Sequence, residues 1–111
     1  MNHNLLDAAR AYFETFSQRD LAGLRKMFAD AVSLVDWEIQ AHGLDQVLEA
    51  NGQIFTSVNS ITVEPVRMAQ SDHTVFAEIL VHVNGDTTLN VVDILTFNEQ
   101  AQITQVVAYK R

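Results

Sequence analysis

The sequence predicts an α+β fold: helices come first, a strand meander follows, and the curved sheet wraps the helices. Three observations predict it. Before residue 60 the apolar residues recur at three- and four-residue spacing, and from Ser60 onward the period drops to two. The candidate strands in that second half are joined by short segments of turn residues, which makes sequential strands antiparallel neighbours. With 111 residues, 48% of them hydrophobic, the chain is long enough for one core and too short for two, so residues 1–111 read as a single domain.

The first element is an amphipathic helix carried by Leu5, Leu6, Ala9, Tyr12, Phe13 and Phe16. Asn4 is its N-cap, and Asp7 places negative charge in the first turn. Asp20 caps a shorter helix with Leu21, Leu24, Met27 and Phe28 on its apolar side. Residues 31–37 read as a short strand. Residues 38–43 are polar and end in glycine, which predicts a loop before a third helix that turns Val47, Leu48, Ile54, Phe55 and Val58 inward. Four strands follow, over 61–70, 74–83, 87–98 and 103–110, with turns at Ser71-Asp72-His73, Asn84-Gly85-Asp86 and Glu99-Gln100-Ala101. Pro65 cannot donate to a ladder, which suits the first of these to an edge.

Composition excludes several functions. Seven basic against fourteen acidic residues give a net charge of −7, which disfavours phosphate backbones and anionic lipid, so neither nucleic acid nor membrane is expected as a partner. Without cysteine there is no thiolate nucleophile, disulfide or cysteine metal site. The first residues lack a basic segment before an apolar run, and no apolar stretch is long enough to span a bilayer, so the expected location is cytoplasmic. His3, His73 and His82 are scattered, and Asp36, Glu38 and His42 match no metal-ligand spacing.

One residue stands out. Asp93 is the centre of Leu89-Asn90-Val91-Val92-Asp93-Ile94-Leu95-Thr96-Phe97, and alternation puts it on the face of Leu89, Val91, Leu95 and Phe97. Aspartate is depleted in strands and costly to bury as an ion. If that face lines a cavity, its pKa rises and the carboxyl stays neutral near pH 7. The opposite face, with Val92, Ile94, Val107 and Tyr109, is apolar enough to be covered by a second copy, which predicts a homodimer through the outer sheet face.

The order and spacing of these segments resemble the ketosteroid isomerases and SnoaL-like proteins of the nuclear transport factor 2-like superfamily. The resemblance rests on Tyr12-Phe13-Glu14, the helix start at Asp20-Leu21, and Phe28-Ala29-Asp30-Ala31 leading to Asp36. Its strongest part runs from Val83-Asn84-Gly85 through Asn90-Val91-Val92-Asp93-Ile94 and Phe97-Asn98-Glu99 to Val107-Ala108-Tyr109. It implies a cystatin-like cone, helices packed in a curved antiparallel sheet around an apolar pocket. The family's catalytic positions fall on Tyr12, Asp36 and Asp93. By resemblance, Asp36 is the base that takes a proton α to a carbonyl, while Tyr12 and protonated Asp93 hold the enolate oxygen. No cofactor is implied.

The pocket implied is lined by Phe28, Ala77, Ile79, Val81, Val83, Val91, Leu95, Val106, Ala108 and Lys110, and its ligand is a small apolar carbonyl compound. Taken singly, Tyr12 reads as a core aromatic and Asp36 as a turn cap; their joint spacing with Asp93 is what points to a site. Phe28 and Asn51 stand where the isomerases carry tyrosines that support the oxyanion tyrosine. Lys110 replaces an aromatic, and a lysine there either favours ionised carboxylates, snorkels to the rim, or meets an anionic group. A non-catalytic ligand-binding or dimerising module, and a cyclase, dehydratase or hydrolase, are the other functions this fold hosts.

Overall fold

Helix α1 (Leu5–Ser17) opens the described part of the chain, which in this computed structural model is residues 4–111; His3 lies outside it. The Asn4 side chain accepts from the Asp7 N–H, the expected cap, and Leu5, Ala9, Tyr12 and Phe13 form its buried stripe. At its far end Ser17 Oγ donates to the Phe13 carbonyl and accepts from the Val63 N–H, so one hydroxyl ties the helix terminus to a strand. Asp20 caps α2 (Leu21–Met27) by accepting from Gly23 N–H at 2.9 Å.

The chain then passes straight into β1 (Phe28–Val35), three residues before the predicted start and two before the predicted end. Phe28 is already extended while its N–H still bonds Leu24 O, so no loop intervenes. A register shift between Phe28 and Ser33 breaks the period of two, which is why Phe28 to Ala31 do not read as a strand. Residues 38–43 are not simply a loop: they contain β2 (Gln40–His42), three residues paired antiparallel with β1. Three residues are too few for a period to show. Gly43, at φ 87°, turns the chain into α3 (Leu44–Ser57).

The meander follows its prediction closely: β3 (Ile61–Ser71), β4 (Thr74–Val83), β5 (Thr87–Phe97) and β6 (Ile103–Lys110). Asp72, Asn84 and Ala101 take positive φ at its three turns. Asn84 Oδ1 also accepts from Asn59 and Ser60 N–H, pinning the β4–β5 turn to the segment that leaves α3. Sheet order is β2-β1-β6-β5-β4-β3. Pro65 lies in edge strand β3, beside the register shift that leaves Val66 unpaired.

The meander strands pair antiparallel, as expected, while β1 and β6 pair in parallel, so the sheet is mixed. Their pairing joins the two halves of the chain across α3 and four strands, beyond the reach of hairpin signals. α1 packs on β3 and β4, α3 on β1 and β2, and the core fills the space between helices and sheet. The helices followed by a curved sheet make the α+β cone that the resemblance implies. Among the described residues no helix is long and apolar enough to cross a membrane.

Candidate functional site

Three elements aim polar groups into one cavity of about 340 Å³, within the range of about 300–1,000 Å³ typical of small-molecule pockets. Tyr12 comes from the inner stripe of α1. Its ring is held by Phe13, Phe16 and Phe28, with centroids 5.4, 6.3 and 6.0 Å away. Packing among tilted rings leaves the phenol little freedom to move.

Asp93 sits in the middle of β5, with Val91 and Leu95 buried on the same face and Asn90 and Val92 exposed on the other. Its neighbours across the ladder are Ala77 in β4 and Ala108 in β6. Both neighbours carry only a methyl group, and Ala108 lines the cavity beside the carboxyl. Asp93 is 8% exposed. Burial, and secondarily the charge of Asp36, push its carboxyl up to about 7 from 3.8. Burial, and then the charge of Asp93, likewise push the Tyr12 phenol well above its ordinary value. Among the described residues neither the Tyr12 hydroxyl nor the Asp93 carboxyl has a hydrogen-bond partner, although both line the cavity.

Asp36 directly follows β1 and organises the tight β1–β2 turn. Its Oδ1 accepts from Glu38 N–H at 2.7 Å and Ile39 N–H at 2.6 Å, and its own N–H donates to Ile39 O. It is therefore a turn cap and a cavity-lining carboxylate at once. One oxygen is committed to the backbone, and Oδ2 has no partner among the described residues.

Of the predicted wall, Ile79, Val81, Val91, Val106, Ala108 and Lys110 line the cavity. Phe28, Ala77 and Leu95 do not reach it: they are buried core behind the wall, Phe28 against Tyr12, and Val83 also lies outside the lining. Sequence reading missed the helical side of the wall, notably Phe16, Ile54 and Val58, and the mouth residues Trp37 and Glu38. The inward stripes of the first and third helices carried a signal for the former. For Trp37 there was none, because its place depends on the Asp36 turn.

Lys110 lies at the rim. Its ammonium sits 5.2 Å over the centre of the Trp37 ring and forms no ion pair with Asp36, Glu38 or Asp93 among the described residues. The lysine thus stacks on an aromatic face instead of lowering the Asp93 pKa. Asn51, in α3, is 2% exposed and lines the cavity too. No three described His, Asp or Glu residues converge as metal ligands.

A family model described as a SnoaL-like domain matches residues 9–106. Among solved structures, a provisional SnoaL-like polyketide cyclase from Shewanella denitrificans OS-217 superposes with a TM-score of 0.87 at 14% identity, covering 99% of this chain and 92% of that one. A provisional ketosteroid isomerase from Kribbella flavida DSM 17836 gives 0.84 at 16% identity, covering 96% and 77%. A provisional isomerase of the SnoaL-like family from Agrobacterium tumefaciens str. C58 gives 0.83 at 14%, covering 96% of both chains. At these identities the likeness is one of fold. No curated protein matches the sequence.

Proposed function

The chain belongs to the SnoaL-like domain family, and from that premise we propose a cofactor-independent enzyme of ketosteroid-isomerase type, which moves a proton and a double bond in a small apolar carbonyl compound. One observation carries the reading. A buried carboxyl held up to about 7 and a buried phenol, both without protein partners, share an apolar cavity with a second carboxylate.

In this mechanism the substrate carbonyl sits against Tyr12 Oη and the protonated Asp93 carboxyl. Asp36 Oδ2 takes a proton from the carbon α to the carbonyl while Oδ1 stays anchored to the Glu38 and Ile39 N–H groups. The electron pair of the broken C–H bond moves onto the carbonyl oxygen, where the two donors stabilise the developing charge in a dry site. Asp36 then returns the proton to the γ carbon, and the double bond ends in conjugation with the carbonyl. The two carboxyls must differ in protonation for this to work. Burial, and then the neighbouring charge of Asp36, raise the Asp93 pKa and so favour its protonated form. The reaction needs neither metal nor organic cofactor.

The test is the rise in ultraviolet absorbance as a β,γ-unsaturated ketosteroid becomes conjugated. Wild type should turn over above buffer, and Asp36→Asn should lower kcat about 10²-fold or more. Turnover that Asp36→Asn leaves untouched would refute the reading. Binding of the ketone without turnover would leave a ligand-binding module of the same fold.

The proposed partner is a second copy. Across β4, β5 and β6 the outer face carries a row of Phe76, Ile94 and Val107, beside a row that contains Val92 and Tyr109. Phe76, Val92 and Tyr109 are exposed. The first row is uncharged, so two copies of a chain with net charge −7 can meet there without facing like charges.

A further inference from the structure

Asn51 does something the proposed chemistry does not ask for. Its Nδ2 is shut off from solvent and has no hydrogen-bond partner among the described residues. The residue is 2% exposed and lines the cavity that Tyr12 and Asp93 also line. Asparagine is a poor helix former, and Asn51 stands in the interior of α3. A buried amide donor left unpaired also costs stability that an apolar residue of similar size, such as leucine, would not. Both costs fall on one side chain; Asn51 borders the cavity, and an acceptor oxygen that pairs there with the amide, once its nitrogen turns toward the cavity, offsets them.

Tyr12 and Asp93 are matched to a single oxygen, the one on which charge develops, so Asn51 is free for another. We propose that Asn51 is a substrate-binding residue whose amide donates to a second oxygen, so that the pocket takes apolar carbonyl compounds bearing a further carbonyl or hydroxyl group. A hydroxyl satisfies either end of the amide, since it both donates and accepts. This selects polyoxygenated ligands over mono-oxygenated ones, because the latter leave the amide unpaired. The inference rests on the reading of Tyr12 and Asp93 as holding the first oxygen.

The experiment is calorimetric titration of 2-naphthol, which carries one oxygen, and of its ring-positional acetyl derivatives, which carry two. Wild type, Asn51→Leu, Asn51→Ala and Tyr12→Phe are compared. Wild type should bind at least one acetyl isomer about tenfold more tightly than 2-naphthol. Both Asn51 variants should lose that preference while holding 2-naphthol to within about twofold, and ligand-free Asn51→Leu should melt at or above wild type. A wild type without preference, or a preference that survives in both Asn51 variants, overturns the proposal. So does a lower melting temperature of Asn51→Leu together with equal weakening of all probes, which marks a purely structural amide. If Tyr12→Phe leaves 2-naphthol binding unchanged, the first-oxygen reading fails and takes the second-oxygen assignment with it. If Tyr12→Phe weakens 2-naphthol binding while the Asn51 variants keep the preference, only the inference about Asn51 fails.

Discussion

Asp93 governs the pH behaviour. Its carboxyl must be protonated to donate, and in the folded chain it titrates at about 7, so kcat/KM should fall as pH rises through about 7. Asp93→Asn keeps an N–H donor at every pH, and its profile should stay flat where that of wild type declines. The same shift has a stability consequence. A carboxyl whose pKa rises from 3.8 to about 7 on folding favours the native state fully below pH 4, and loses that contribution as pH climbs to 7. Asp93→Asn should therefore match wild type in thermal melts near pH 4 and exceed it at pH 8, by up to about 4 kcal/mol. Equal melting curves at pH 8 would show that Asp93 is not buried as an acid. That Asp93 is unusual was legible from one strand of alternating residues. That Asp36 is its neighbour came from the resemblance alone, because the two are far apart in sequence and meet only through β6 and β1.

The β1–β2 hairpin and the β4–β5 turn show how short segments place the site. Asp36 caps its turn through Oδ1, an atom that asparagine retains and alanine lacks. In urea, Asp36→Asn should unfold within about 0.5 kcal/mol of wild type, whereas Asp36→Ala should cost about 1–2 kcal/mol. Catalytic loss in Asp36→Asn then reports chemistry, not misfolding. Asn84 carries two burdens, a φ of 57° and the acceptor for Asn59 and Ser60 N–H. Asn84→Ala should destabilise by about 1–2 kcal/mol, and Asn84→Gly should recover the conformational part only. The four meander strands were readable almost to the residue, because each is long enough to show its period and is bounded by turn residues. β2 and the start of β1 were not: one is three residues long, and the other has a register shift that scrambles its alternation.

For the molecule as a whole, the proposed homodimer makes a definite demand. Sedimentation at micromolar concentration should give twice the chain mass. Val92→Lys with Tyr109→Glu on the outer face should give a folded monomer with the cavity side intact. A wild-type monomer under those conditions sinks the sheet-face interface. The cavity belongs to this level of organisation too, since its wall draws on α1, α3 and both halves of the chain. Ile79, Val81 and Val91 were traceable by alternation. Phe28, Ala77 and Leu95 share inward faces with them but are covered by other side chains, and alternation cannot tell a residue that lines a cavity from one that packs behind it.

By itself the sequence determined the α+β class, the strand meander and the inward face of Asp93, and through resemblance it pointed to Tyr12, Asp36 and Asp93. All but the trio follow from periodicity and turn chemistry, which act over a few residues; the trio comes from the resemblance alone. The tertiary structure alone decided the parallel β1–β6 pairing, the stacking of Lys110 on Trp37 and the unpartnered amide of Asn51. Each is a relation between distant segments, and the energy of burying or pairing a polar group exists only once those segments have met.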